Sequence, residues 1–138
     1  MRPQKQLSFF PSHNLLYGGA LTQGQRKTAR PLCSKRPLHL VLKARRKVLF
    51  ARRREIISLV RRYSQRFSVK IYDLSIQQDH IHALIKINDR KSYVAFIKSL
   101  SGQMAGLLGK NLFKVLPFTR VVAWGKSFRK VKAYLLQN

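Results

Sequence analysis

The sequence predicts an α+β fold with one antiparallel sheet, on three observations. Residues 79–87 alternate between two faces, one of them wholly apolar, as is typical of a strand. Two longer segments repeat apolar residues every three or four positions, as amphipathic helices do. The predicted elements follow one another as strand, helix, strand, strand, helix, strand, helix. The first six match the split βαββαβ, or ferredoxin-like, plan, in which two helices cover one face of a four-stranded sheet.

The first predicted strand spans residues 38–44, and the first predicted helix spans residues 49–67. In the strand, His39, Val41 and Lys43 share one face and three leucines share the other. The helix carries an apolar stripe on one side and arginines on the opposite side. We expect the stripe to pack on the sheet. It comprises Phe50, Ile57, Val60 and Phe67, flanked by Ile56 and Tyr63.

The second and third strands are predicted to form a hairpin with a short turn at Gln77-Gln78-Asp79. The second strand covers residues 70–77 and alternates between two triplets, Ile71, Asp73 and Ser75 against Tyr72, Leu74 and Ile76. In the third strand, His80 and His82 lie on one face. The other face, which we expect to line the core, comprises Ile81, Ala83, Ile85 and Ile87.

A second helix, a last strand and a terminal helix complete the predicted fold. The second helix covers residues 90–108, with Gly109 as its C-cap. The last strand covers residues 119–124, and the terminal helix covers residues 128–138. In a ferredoxin-like plan the first two helices leave one sheet face open, so the terminal helix is free to lie across it. The two histidines are expected on this open face, because the residues that alternate with them are apolar.

The charge of the protein indicates a polyanionic partner. The 138 residues include 29 Lys and Arg against four Asp and Glu, a formal charge of +25. Nucleic-acid enzymes and ribosome-associated proteins both have such surfaces. No run of about 18 apolar residues predicts a membrane span, and no continuous apolar segment predicts a signal peptide. The single cysteine, Cys33, excludes an internal disulfide and is typical of a cytoplasmic protein.

Residues 1–36 are predicted to form an irregular basic N-terminal arm. Proline and glycine recur along this segment, and it contains no acidic residue. Its apolar residues indicate that part of the arm packs on the folded body. The arm either contacts DNA or is a solvated leader, and the sequence favours neither.

His80 and His82 are candidate metal ligands. Their Cβ atoms lie roughly 6–7 Å apart on one face of the strand. Two neutral imidazoles at this spacing can bind one divalent cation if a third ligand comes from elsewhere. The alternative is a pair of ordinary half-buried histidines. His39 can face the same side of the sheet, but a structural or DNA-contacting role is the better explanation for it.

The terminal helix supplies a second group of candidate residues. Tyr134 and Asn138 stand four positions apart, so they lie one above the other on one face. Beside a two-histidine metal site, a phenol provides a nucleophile and an amide oxygen provides a third ligand. Alternatively, Tyr134 is a core aromatic residue and Asn138 belongs to a frayed helix end.

Two motifs resemble those of a known family. Asp79-His80-Ile81-His82-Ala83-Leu84 is similar to the NHIHLL signature of single-tyrosine transposases in the HUH endonuclease superfamily, which include insertion-sequence transposases and their REP-associated relatives. The tail from Trp124 to Asn138 resembles their tyrosine-bearing helix, and residues 36–41 resemble their first strand. The resemblance covers about residues 36–138.

The resemblance implies a DNA transposase that cleaves and rejoins single-stranded DNA near small hairpins. It implies a 5′-phosphotyrosine intermediate with Tyr134 as the nucleophile. It also implies that His80, His82 and Asn138 bind Mg²⁺ or Mn²⁺. Residues 37–138 would then form the catalytic domain.

The sequence departs from the family signature in three places. Asp79 stands where the family has Asn, and Ala83 replaces a larger residue. The sequence also stops at Asn138, which suggests a C-terminal truncation relative to the family. The main alternative function is a non-catalytic, domesticated ferredoxin-like nucleic-acid-binding protein. The aromatic signature of such binding modules is absent from the histidine strand. A monomer and a homodimer both remain open, as does a tyrosine helix serving its own site or a partner's.

The arginine face of the first helix is the predicted contact with duplex DNA. Glu55 is its only acidic neighbour, so phosphate binding explains the face better than solvation alone. Two lysines flank Tyr134 and are expected to hold the DNA backbone. Tyr72 is a candidate for base stacking, whereas Trp124 is expected in the core. The predicted DNA-binding residues are Arg52, Arg53, Arg54, Arg61, Arg62, Lys130 and Lys132.

Overall fold

A computed structural model describes residues 17–18, 31–113 and 116–137 of the chain. Most of the predicted arm lies outside the described residues, and so does Asn138. The described part contains a five-stranded antiparallel sheet in the order β1-β5-β2-β4-β3. Its elements are β1 (Tyr17–Gly18), β2 (Leu38–Lys43), α1 (Arg53–Arg66), β3 (Lys70–Ile76), β4 (His80–Lys86), α2 (Arg90–Leu108), β5 (Phe118–Val121) and α3 (Lys126–Gln137).

The four longer strands and the helices between them confirm the predicted ferredoxin-like plan. Strand β4 is central, between β2 and β3, and the second helix has the predicted bounds of Arg90–Leu108. Gly109 follows it with φ of 113°, and its N–H donates to the carbonyl of Ala105. The short strand β1 adds an edge next to β5. Two residues of the predicted arm therefore pair with the body.

The main core lies between one face of the sheet and helices α1 and α2. The alternating leucines of β2 and the apolar face of β4 point into it, as their period of two predicts. From α2, side chains at intervals of three and four residues complete it, namely Tyr93, Phe96, Leu100 and Met104. This layer occupies the sheet face opposite to that of His80 and His82.

The predicted apolar stripe of the first helix is wrong in part. The helix begins at Arg53, and Phe50 lies in a preceding 3-10 turn, where its side chain is 49% exposed. The guanidinium of Arg53 lies 4.4 Å from the centre of the Phe50 ring. The buried apolar side chains are Ile56, Val60 and Tyr63, so the prediction is confirmed at Val60. These residues lie four and three positions apart, and the stripe therefore runs through Val60 and the two predicted flanking residues.

The predicted alternation of the second strand fails at Ile71 and Tyr72. The pairing of β3 with β4 shifts between Ile71 and Asp73, so a β-bulge forms at Tyr72. Ile71 therefore joins Leu74 in the main core, although simple alternation places it with Asp73. The ring of Tyr72 packs on the other face of the sheet.

The last strand and the terminal helix have different bounds from those predicted. Strand β5 ends at Val121, and α3 already begins at Lys126. Between them, Gly125 has φ of 88°, a conformation that favours glycine, and it turns the chain into the helix. Trp124 is not a core residue, since its side chain is 48% exposed. Its indole N–H donates to the carbonyl of Lys35 at 3.0 Å.

Helix α3 lies across the second face of the sheet, as its place in the predicted plan suggests. A small second core forms there from Leu84 of β4, Val122 and Leu135, each at most 2% exposed. Leu135 is the one buried residue among those described in α3. It therefore anchors the helix that carries Tyr134.

We expect Leu135→Ala to lower the free energy of unfolding by about 2–3 kcal/mol, because it leaves a cavity against Leu84 and Val122. The neighbouring Leu136 is 71% exposed, so Leu136→Ala should change stability by less than about 0.5 kcal/mol. Urea unfolding measures both values. Hydrogen exchange along α3 should accelerate in the first variant only. Equal effects of the two substitutions would contradict this docking of the helix.

Candidate active site

His80 and His82 lie side by side on the face of β4 that α3 crosses. Their ring centres are 4.8 Å apart and the rings are perpendicular, at 88°. His82 is buried, at 8% exposure, whereas His80 is partly exposed. Both positions follow from the alternation of β4, whose other face is wholly apolar.

Each of these histidines has a hydrogen-bond partner at its Nδ1 atom. His80 Nδ1 lies 2.7 Å from Oδ1 of Asp79, the residue directly before it. His82 Nδ1 lies 3.0 Å from Nε2 of His39 on the neighbouring strand β2. The planes of the two rings lie within 21° of each other, with centres 5.2 Å apart, so the rings meet edge to edge through this bond. The sequence analysis assigned His39 no part in the site, and the structure places it in direct contact with a candidate ligand.

Tyr134 projects from α3 toward His82. Its ring meets that of His82 edge to face, with centres 5.7 Å apart. The side chain is 50% exposed, so the phenol is accessible to a large substrate. The predicted nucleophile and the predicted ligand pair therefore lie together, although more than fifty residues separate them in the sequence.

A cavity of about 380 Å³ opens between α3 and the sheet beside Tyr134. Two cationic side chains line it, Arg120 from β5 and Lys130 from the turn of α3 before Tyr134. The remaining lining residues are His39, His82, Phe118, Val131 and Tyr134. Two positive charges beside a phenol make this cavity suited to a phosphate group.

Arg120 is a site residue that the sequence analysis missed. In β5 it alternates with Thr119, which is fully buried, so its side chain faces the opposite side of the strand. Arg120 is paired with His39 of the neighbouring strand β2. The sequence did contain a signal for this residue, because Arg120 is the one charged residue of the strand predicted over residues 119–124.

The pKa values of His39 and His82 favour the neutral imidazole. Burial lowers the pKa of His39 to about 4, and the nearby charges of His82 and Arg120 act in the same direction. Burial and then the charge of His80 lower the pKa of His82. The hydrogen bond with His80 lowers the pKa of the partly exposed Asp79 carboxyl. Neutral imidazole is the form that binds a metal ion.

The spacing of His80 and His82 fits two imidazole ligands on one divalent cation. Two imidazoles on one cation at about 2.1 Å have ring centres roughly 4.5–5.5 Å apart, and His80 and His82 match this spacing. Among residues 31–113 and 116–137, no three His, Cys, Asp or Glu side chains cluster to hold a metal. An amide such as that of Asn138, predicted as the third ligand, would complete the set.

The predicted DNA-binding residues fall into two separate regions. Lys130 lines the cavity beside Tyr134, whereas Lys132 is exposed and outside its lining. The arginines of the first helix are exposed on the layer that covers the opposite face of the sheet. Of these, Arg52 forms an ion pair with Glu55 at 2.9 Å. The arginine surface is Arg52, Arg53, Arg54, Arg61 and Arg62.

The chain matches the model of a known family, that of IS200-like transposases. The model matches residues 34–133, which is most of the chain. The protein therefore belongs to the IS200-like transposase family. The match ends one residue before Tyr134.

Two solved structures are similar in fold. A REP-associated tyrosine transposase bound to a REP hairpin has a TM-score of 0.64 and 11% identity, covering 80% of this chain and 70% of that one. A candidate transposase from Deinococcus radiodurans R1 has a TM-score of 0.53 and 16% identity, covering 81% of this chain and 97% of that one. No curated protein matches the sequence. Among the described residues, no helix is long and apolar enough to cross a membrane.

We expect the metal-free protein to lose stability as the pH falls from 6.5 towards 4. The pKa of His39 is about 4 in the folded protein against an ordinary value of 6.5. In this window the unfolded chain binds the proton and the folded chain does not, so acid favours unfolding. Above pH 6.5 the residue is neutral in both states and has no such effect.

Urea unfolding in EDTA at several pH values between 4.5 and 7.5 measures this dependence. A His39→Leu variant should show a shallower fall of unfolding free energy than the wild type. Parallel curves for the two proteins would mean that His39 titrates normally in the folded state.

Proposed function

We propose that this protein is a transposase that cuts and rejoins single-stranded DNA through a tyrosine-linked intermediate. The observation that carries this proposal is the contact of Tyr134 with His82, which itself lies beside His80. Membership of the transposase family supports the reaction class.

His80, His82 and Asn138 would hold Mg²⁺ or Mn²⁺. When bound, such a cation polarises a nonbridging oxygen of the scissile phosphate and offsets its developing negative charge. Neutral histidines and an amide keep the net charge of the site positive, which favours a phosphodiester.

Tyr134 performs the covalent step. Its phenol loses a proton to solvent, and the oxygen attacks the phosphorus in line with the leaving 3′ oxygen. The new bond joins the tyrosine to the 5′ phosphate, while the 3′ oxygen takes a proton and leaves as a hydroxyl. The reverse attack by a 3′ hydroxyl restores the DNA and frees the phenol, so no external energy source is needed.

The cationic residues support DNA as the partner of this protein. Arg120 and Lys130 line the cavity beside Tyr134, where they would bind phosphates next to the cleaved bond. The REP-associated tyrosine transposase of similar fold is described as bound to a REP hairpin. We propose a hairpin-bearing single strand as the substrate here too. The arginine surface of α1 would bind the duplex part of such a hairpin.

Tyr134→Phe should abolish the covalent DNA adduct, because it removes the attacking oxygen and keeps the ring against His82. DNA binding and thermal stability should stay near the wild-type values. A denaturing gel of the protein with labelled hairpin-bearing single-stranded DNA and Mg²⁺ detects the adduct. His80→Ala and EDTA should each remove it as well.

Tyr72→Phe is the matched control, since Tyr72 also packs beneath α3 but does not contact His82 in any described ring pair. It should form the adduct normally. An adduct with the Tyr134→Phe protein would assign the chemistry to another tyrosine. A wild-type protein that binds the DNA but forms no adduct would instead be the non-catalytic nucleic-acid-binding protein.

Replacing Arg52, Arg53 and Arg54 together with alanine should weaken hairpin binding for all DNA sequences. Each lost phosphate contact should also reduce the slope of log affinity against log salt by about 1. The control variant replaces the exposed Lys91, Lys98 and Lys110 on and after α2, which removes the same net charge. Fluorescence anisotropy across a salt series measures both. Equal slopes in the two variants would make the arginine surface an ordinary solvated face.

A further inference from the structure

We propose that Asp79 and His39 are positioning residues of the candidate metal site. Each occupies the Nδ1 atom of one histidine, so that His80 and His82 both present Nε2 to a single divalent cation. This inference rests on the proposed function and extends it to two residues outside the predicted ligand set. In this arrangement a carboxylate orients His80 and an imidazole orients His82.

The contact between Asp79 and His80 determines one proton position directly. The Oδ1 atom of Asp79 lies 2.7 Å from His80 Nδ1, and an ionised carboxylate can only accept. Nδ1 of a neutral His80 therefore carries the proton, and the lone pair lies on Nε2. The two side chains are each 34% exposed, so this support is open to solvent.

The contact between His39 and His82 allows two proton arrangements. The 3.0 Å hydrogen bond joins two ring nitrogens, and only one of them donates. If His82 donates from Nδ1, its Nε2 has a free lone pair for a metal ion. If His39 donates instead, the proton of His82 lies on Nε2 and blocks that atom. Metal binding therefore requires His39 to be the acceptor, with its own proton on Nδ1.

The surroundings hold this second pair rigidly. His82 is 8% exposed, and the plane of the His39 ring lies within 21° of its own. Their strands, β2 and β4, are hydrogen-bonded neighbours along the full length of β2. A partly buried acceptor on an adjacent strand fixes the direction of the His82 ring, which is the usual task of a second ligand shell.

The first test reads the proton positions without any catalysis. Long-range ¹H–¹⁵N correlation spectra of the metal-free protein at pH 8 distinguish the two neutral forms of each histidine. We expect His80 and His82 to carry the proton on Nδ1, with Nε2 unprotonated. A proton on Nε2 of either residue would overturn the proposal for the partner of that residue.

The second test measures Mn²⁺ affinity by the disappearance of the free-ion electron paramagnetic resonance signal. Asp79→Ala and His39→Leu should each weaken binding about 10- to 100-fold. Asp79→Asn and His39→Gln retain an acceptor oxygen and should restore part of the loss. Asp89→Ala removes a distant carboxylate that caps α2, and it should leave the affinity unchanged. Thermal melts verify that each variant is folded.

The outcomes separate this inference from the proposed function. If the wild type binds Mn²⁺ and forms the adduct while the Ala and Leu variants bind equally well, the two positioning roles are wrong and the transposase stands. If the wild type binds no Mn²⁺, the proposed metal site is wrong. The positioning roles and the metal-dependent function are then both wrong. If the losses in the Ala and Leu variants are not restored by Asn and Gln, the contacts act through packing and the positioning role is overturned.

Discussion

The burial of strand β4 on both faces is the constraint on which the rest of this structure depends. Helices α1 and α2 cover one face, and α3 covers part of the other by packing Leu135 on the fully buried Leu84. Leu84 shares its face with His80 and His82. The interaction that anchors α3 therefore also brings that helix to the two histidines, so that fold stability and site assembly depend on the same contact.

Helix geometry then places the phenol. Consecutive residues of a helix point about 100° apart, so anchoring Leu135 in the second core turns Tyr134 toward the rim of the cavity. There the ring contacts His82 on one side and remains half exposed on the other. Lys130, one turn earlier, lies on the same side of the helix and lines the same cavity. A nucleophile for DNA needs this combination of a fixed ring and an open approach.

Two positively charged surfaces of the protein have different roles in the proposed reaction. The arginine surface of α1 lies on the far side of the sheet from the site, where it can attract DNA over a long range. Arg120 and Lys130 act locally beside Tyr134. Of the four acidic residues, Asp79 is the one hydrogen-bonded to a site histidine. The carboxylate of Asp79, beside the candidate site, is therefore held in a hydrogen bond with His80.

The sequence by itself determined the order of the elements, the bounds of α2 and the sheet face of His80 and His82. These features follow from local periodicity, which each segment expresses independently of its neighbours. The bulge at Tyr72 and the places of His39 and Arg120 were decided only by the tertiary structure. They depend on strand register, and a shift of one residue in register moves a side chain to the other face of the sheet. No local pattern encodes which strands pair, so the contact of His39 with His82 became visible only in the folded chain.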